Sequence, residues 1–264
     1  MIEAPDRAYL AALCLARAGL RVDPEKSYLI ESRLAPVARR EGFVSPQGLV
    51  GALRGRSDDR LAWAAVEAMA MSDTEFFRDR PVFDRLSAEI LPELARSRGG
   101  APVRVWSVGC GTGQEVYSLA MILADLPASA GPWDLLGSDL SERNLEKAQA
   151  GLYSQFEVQR GLPARALVRH FEKKGEGFAL SPQIRQMVRW RRVNLLDDLS
   201  SFGRFDLVLC RNVLSGLAPE AHTRVRTSLM QALAPGGRLV IGLRDTLGGS
   251  FKALAPGLGL YAAA

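Results

Sequence analysis

VRVWSVGCGTGQEVYSLA, residues 103–120, passes from strand chemistry through a glycine loop into a helix without a break. Val103, Val105 and Trp106 are strand formers, and residues 116–122 continue as a helix. Between them, Gly109, Gly111 and Gly113 permit left-handed backbone and close approach of the main chain to a ligand. A strand, a glycine loop and a helix in this order aim the helix's free N–H groups, and its positive dipole end, at whatever lies over the loop. The stretch predicts the first unit of a nucleotide-type cofactor site on a parallel sheet.

The spacing GxGxG lacks the third glycine of the dinucleotide fingerprint, and Glu115 occupies the place a pyrophosphate would need. An acid there repels phosphate. It suits a ligand with no phosphate and a cationic amino-acid end, a description that S-adenosyl-L-methionine fits. The alternative for Glu115 is a solvated first-turn acid favoured by the helix dipole. Residues 134–139, DLLGSD, form a second strand ending in Asp139, an acid able to accept both ribose hydroxyls. A third apolar strand follows at 205–210.

Working outward, strands alternate with helices from residue 103 onward, which argues for a parallel, doubly wound sheet. The end reads as two strands, 237–243 and 258–264, closing the sheet as an antiparallel pair. Residues 5 to 90 show helical periodicity and no strand signal, with apolar spacings of i, i+3, i+4 over 9–18, 25–40, 46–54 and 59–71. The expected organisation is an N-terminal helical domain and linker over 1–95, the linker being the Ser97-Arg98-Gly99-Gly100 stretch. An α/β domain follows over 96–264, with a basic insertion at about 153–192 that is too long for an ordinary connection.

The 264 residues, 47% hydrophobic and 24% charged, can bury one large core and a smaller one. No run of 18 apolar residues exists, so no membrane insertion is expected. The first twenty residues place acids before the apolar stretch and Arg17 within it, which reads as a helix and not a signal peptide, and the chain is expected in the cytoplasm. Cys14, Cys110 and Cys210 are widely spaced in apolar or glycine-rich surroundings. They are read as reduced packing residues, with neither a disulfide framework nor a metal site.

The net charge of +5 is uneven. Residues 1–100 carry 15 basic and 15 acidic residues, whereas 160–192 carries nine basic residues against Glu172 and Glu176, a local +7. Such a run is either a solvated face or a surface that steers an acidic partner. Phe171, Phe178 and Trp190 are too scattered for base stacking. The chain has no acid/Asn-Pro-Pro-aromatic tetrad after its third or fourth strand, so stable nucleic-acid binding is not expected.

Five motifs resemble the chemotaxis receptor methyltransferase family, CheR, in order and interval. They are MSDTEFFRD at 71–79, SVGCGTGQEVYSLA at 107–120, SDLSERNLEKAQAGLY at 138–153, VNLLD at 193–197 and FDLVLCRNV at 205–213. Residues 19–42, with Lys26, Arg33 and Leu34, resemble that family's helical domain. The resemblance implies a class I S-adenosylmethionine-dependent methyltransferase fold, Rossmann-like, with a mostly parallel sheet and an antiparallel closing strand, preceded by a small all-helical domain. It implies a protein-glutamate O-methyltransferase, monomeric by default, acting on acidic helical cytoplasmic regions of chemoreceptor-like proteins and leaving S-adenosyl-L-homocysteine as product. Cofactor positions carry over to Ser72, Thr74, Arg78, Glu115, Asp139, Asn194, Leu195, Arg211 and Asn212, beside Gly109 and Gly111 of the loop. Arg78, a fork donor suited to a carboxylate, is the expected catalytic residue.

The chain also departs from that family's pattern. RNVLSGLA places Gly216 where the family has a tyrosine beside the arginine, which bears on catalysis and not on cofactor binding. Ser72 stands for an asparagine, and Leu243-Arg244-Asp245 replaces a small polar run after the fifth strand, on the substrate side of the cleft. The loop KKGEGF is shorter than in members whose subdomain grips a receptor's C-terminal peptide. These changes leave open a divergent receptor, a different acidic protein, or a signalling protein that binds the cofactor with altered catalysis.

Overall fold

The computed structural model describes residues 2–55, 58–70, 73–127, 131–247 and 251–263. Two compact units divide the chain, one formed by 1–71, 194–197 and 216–226, the other by 72–193, 198–215 and 227–264.

The first unit is helical: Ala4–Ala18 (α1), Ser27–Arg40 (α2), Pro46–Gly55 (α3) and Asp59–Met69 (α4). Pro5 starts α1 earlier than periodicity suggested, since its fixed φ suits a first turn. Gly19 ends it at φ 65°, where a Cβ would lie 2.4 Å from that of Ala221. Asp58 caps α4 by accepting from Leu61 N–H at 3.0 Å. Leu10, Cys14, Ile30, Leu34, Leu49 and Val66 form the buried interior.

The second unit opens with a helical run that reads Arg80–Arg85 (α5), a π-turn at Leu86–Ile90, and Leu91–Arg98 (α6). Pro92 has no N–H to give, and the wide turn absorbs that loss. The boundary expected at residue 95 is not where the units part. Phe76, Phe83, Leu86, Ile90 and Leu94 share one core with Val103 and Val105, so 73–98 packs with the sheet. Ser97 to Gly100 is the end of α6, with Gly99 left-handed at its C-cap.

The strands are Val103–Val108 (β1), Trp133–Asp139 (β2), Leu152–Ser154 (β3), Phe171–Lys174 (β4), Gly177–Leu180 (β5), Val188–Arg192 (β6), Phe205–Cys210 (β7), Leu233–Ile241 (β8), Phe251–Ala255 (β9) and Leu260–Ala263 (β10). Among the described residues, a seven-stranded sheet has the order β6-β2-β1-β7-β8-β10-β9. Its first five strands are mutually parallel, and β10 runs antiparallel to both neighbours. Both faces are covered, which is why β1 and β7 are buried almost throughout and mostly apolar. Helices Gln114–Asp125 (α7), Glu142–Ala150 (α8) and Pro219–Gln231 (α12) follow β1, β2 and β7.

The basic insertion is smaller than expected. Residues 152–180 form an antiparallel sheet, β3-β5-β4, with Gln155–Gln159 (α9) and Ala164–His170 (α10), and Pro182–Gln186 (α11) leads out of it. The run VRWRR at 188–192 belongs instead to the main sheet as its edge, paired parallel with β2. Trp190 explains the register: a Cβ on Gly137 would lie 2.6 Å from its ring. The antiparallel closing pair is present as β8 and β10, and β9 is an additional edge strand.

Candidate cofactor and substrate cleft

The glycine loop turns sharply because Gly109, Gly111 and Gly113 take φ of 60°, 56° and 92°. At Gly109 a Cβ would also meet Val213 Cγ2 at 2.5 Å. The loop is fastened from behind. Gly111 N–H donates to Asp139 Oδ2 at 2.8 Å, and Tyr153 Oη donates to Thr112 O at 2.8 Å. Asp139 Oδ1 accepts from Ser141 N–H at 2.9 Å and Asn144 Nδ2 at 3.1 Å. Burial pushes the Asp139 carboxyl above the usual carboxylate range, while the N–H bonds from Ser141 and Gly111 pull it back. Oδ2 carries one of these bonds and keeps acceptor capacity.

In front of the loop lies a cleft of about 300 Å³, open to solvent, lined by Asp73, Thr74, Glu75, Arg78, Gly109, Cys110, Glu115, Arg211 and Asn212. Glu115 is no solvated first-turn acid. It accepts from Ser107 Oγ at 3.2 Å and from Arg211 Nη1 at 2.9 Å, with its side chain 12% exposed. Arg211, at the end of β7, is almost wholly buried and also donates through Nη2 to Arg78 O at 3.0 Å and to Asp79. A guanidinium so buried is tolerable only with its charge matched, and two carboxylates match it.

Arg78 gives Nη1 to Asp73 O at 2.9 Å, while Nε and Nη2 bond to none of the described residues. Arg160 holds Asp73 and Glu75 together, and the bond to Asp73 keeps that carboxyl below its usual range. Three lining carboxylates against two lining guanidiniums leave the cleft net negative. That balance and the close-approach glycine loop fit a cationic, phosphate-free ligand.

Of the residues expected from sequence, Thr74, Arg78, Gly109, Glu115, Arg211 and Asn212 line the cleft, and Gly111 and Asp139 sit behind its loop. Ser72 lies outside the described residues. Asn194 and Leu195 belong to the helical unit, where Asn194 Nδ2 donates to Arg17 O at 2.7 Å. Sequence reading missed Asp245. It is buried beneath the turn after β7, accepting from Asn212 N–H at 2.7 Å, Ser215 N–H at 2.8 Å and Gly242 N–H at 3.1 Å. Asn212 is thereby held at φ 60°. The LRD departure is thus split: Leu243 is exposed, whereas Asp245 is a structural clamp. The three thiols are buried and unpaired, with burial pushing Cys14 up to about 12 and Cys110 and Cys210 well above their ordinary value.

Residues 72–255 match the model of the family described as "CheR methyltransferase, SAM binding domain". The chain belongs to the CheR methyltransferase family. Chemotaxis protein methyltransferase 1 of Pseudomonas aeruginosa is 36% identical over 248 residues, 91% of this chain and 88% of that protein. Chemotaxis protein methyltransferase Cher2 of Pseudomonas putida is 33% identical over 250 residues, covering 92% and 89%. Membership makes the chain a class I S-adenosylmethionine-dependent methyltransferase of chemotaxis. Among the described residues, no helix is long and apolar enough to cross a membrane.

Proposed function

We propose that the chain is a protein-glutamate O-methyltransferase acting on acidic helical regions of chemoreceptor-like proteins in the cytoplasm. The observation that carries this reading is Arg78, which lines the cleft with Nε and Nη2 unengaged by the described residues. A guanidinium fork binds a carboxylate in a defined orientation. Glu115 and the loop of Gly109 and Gly111 would hold the cofactor, with Asp139 Oδ2 left to accept a ribose hydroxyl. Thr74, Arg211 and Asn212 complete the wall. Bound there, S-adenosylmethionine supplies a methyl group activated by its sulfonium. A glutamate carboxylate is ionised at neutral pH, so the reaction asks no general base of the protein. The chain's work is alignment of the carboxylate oxygen by Arg78 and exclusion of water.

The basic run 160–192 offers less free charge than its sequence suggests. Of its nine cations, Arg160 pairs with Asp73 and Glu75, Arg169 with Asp125, and Arg189 with Asp134. Those four carboxylates, together with Glu172 and Glu176, leave a net +3. Arg165, Lys173 and Lys174 are exposed and suit direct docking on an acidic surface, with moderate salt dependence.

The test is transfer of labelled methyl from S-adenosylmethionine into receptor-containing membranes, scored as alkali-released volatile label. Label is expected with the wild-type protein and a loss of at least about a hundredfold with Arg78→Gln, well beyond any accompanying fall in S-adenosylhomocysteine affinity. Alkali-stable label, or full activity in Arg78→Gln, would remove the carboxylate reading.

A further inference from the structure

The wall of the cleft formed by residues 73–78 has no regular secondary structure of its own. Phe77 and Asp79 are left-handed, at φ 49° and 54°, conformations that side chains other than glycine rarely keep unless surroundings enforce them. Phe77 is held from α7, its N–H donating to Ser118 Oγ at 2.9 Å, and Asp79 by Arg211, whereas the residues before them are held by the small antiparallel sheet and its helices. Phe76 is fully buried against Tyr153 and Phe171, with ring centroids 5.0 and 5.7 Å away. Gly161, at φ 80°, passes so close that a Cβ would lie 1.9 Å from the Phe76 carbonyl oxygen. One residue earlier, Arg160 Nη2 donates to Asp73 Oδ1 and to Glu75 Oε2, both at 3.0 Å.

The geometry points to Arg160 as a positioning residue that fixes this wall and masks two of the three carboxylates facing the cofactor, lowering the preference for a charged ligand over a neutral one. The inference rests on the cleft being the S-adenosylmethionine site. The two forms of that ligand differ by one charge at the sulfur: S-adenosylmethionine is a sulfonium, S-adenosylhomocysteine a neutral thioether. With Arg160 in place, each of the three lining carboxylates is paired with a cation. Glu115 is committed to Arg211, and Asp73 and Glu75 to Arg160. Without it, Glu75 loses this cation and Asp73 keeps only the 3.4 Å approach of Arg78, so more negative field reaches the ligand and the sulfonium gains what the thioether cannot. Loss of the tether also loosens the wall, which weakens both ligands.

Full-length wild type, Arg160→Gln and Arg160→Lys are titrated calorimetrically with each ligand, at low and at high potassium chloride. Arg160→Gln is expected to weaken S-adenosylhomocysteine about five- to tenfold and S-adenosylmethionine only about twofold, so that the affinity ratio rises about threefold. Arg160→Lys keeps the charge with less reach and should restore most of the affinity and the wild-type ratio. High salt should shrink the difference in ratio between Arg160→Gln and wild type, because it screens the exposed carboxylates from the sulfonium. An unchanged S-adenosylhomocysteine affinity in Arg160→Gln overturns the proposal. Equal weakening of both ligands overturns the masking role, because a purely mechanical tether would move them together. If wild type binds neither ligand, the assignment of the cleft fails instead, and thermal unfolding of the ligand-free proteins identifies a variant that has lost its fold.

Discussion

Replacing Asp245 tests whether the turn that carries Asn212 into the cleft is held by one buried carboxylate. Three backbone N–H groups converge on it, from Asn212, Ser215 and Gly242, at 2.7, 2.8 and 3.1 Å. The residue is 7% exposed, so water cannot readily replace what is removed. Asp245→Asn keeps the shape and one acceptor oxygen but turns an amide NH2 toward a donor. It therefore weakens two charge-assisted bonds and leaves Ser215 N–H unpaired, a loss of about 2–4 kcal/mol. Asp245→Ala removes all three acceptor contacts and should lose about 3–5 kcal/mol. Because Asn212 lines the cleft in a left-handed conformation that this carboxylate holds, S-adenosylhomocysteine affinity should fall with it, by about tenfold in Asp245→Asn, or 1.4 kcal/mol. Urea unfolding gives the first quantity and calorimetry the second. Stability within about 0.5 kcal/mol of wild type and unchanged affinity would refute the clamp.

Gly109→Ala places a Cβ 2.5 Å from Val213 at a φ of 60°, so it should destabilise by about 1–3 kcal/mol and weaken S-adenosylhomocysteine at least tenfold, read by calorimetry. Gly216 meets nothing within 4 Å of an added Cβ and is not among the left-handed glycines. Gly216→Tyr is therefore expected to change stability by no more than about 0.5 kcal/mol, and methyl-transfer assays should show a higher kcat at unchanged S-adenosylhomocysteine affinity. His170 is buried 3.5 Å from Asp125, and its burial lowers its pKa, a shift the carboxylate partly opposes. The unfolded chain then takes up the proton first, so stability is intact above about pH 6.5 and declines as pH falls through the lowered folded value. Denaturation midpoints measured across that range should show the decline in wild type and a shallower one in His170→Gln.

The cofactor side of the cleft was legible because its chemistry is local. Gly109, Gly111, Gly113 and Glu115 lie within seven residues, and Asp139 ends the next strand, where a fixed topology brings it to the loop. Residues whose roles depend on distant partners left no such signal. Arg160 reads as one cation in a basic run, and only the close passage of Gly161 by Phe76 shows that it faces Asp73 and Glu75. Asp245 reads as part of a divergent tripeptide, although its three donors come from positions up to 33 residues away. The edge strand β6 was hidden by its arginines. An edge exposes alternate side chains and tolerates charge, so VRWRR carries an incomplete apolar pattern. The helical segment before β1 was assigned by periodicity to the wrong unit, since periodicity reports an apolar face but not what that face packs against.

The charges around the cleft divide into those that build it and those left for a ligand. Arg211 is spent on Glu115, Asp79 and the Arg78 carbonyl, joining the first turn of α7, the 73–79 segment and the end of β7 at one buried point. Arg160 is spent on Asp73 and Glu75. Removing either leaves carboxylates uncompensated, so neither can release its partners to greet an incoming anion without weakening the wall it supports. Arg78 differs: Nη1 bonds the Asp73 carbonyl at 2.9 Å and pairs with its carboxylate at 3.4 Å, while Nε and Nη2 bond to none of the described residues. A substrate carboxylate entering a cleft that is otherwise net negative needs a donor that is both cationic and uncommitted. Among the residues lining it, Arg78 meets the first condition and, through Nε and Nη2, which bond to none of the described residues, the second, whereas Arg211 meets only the first.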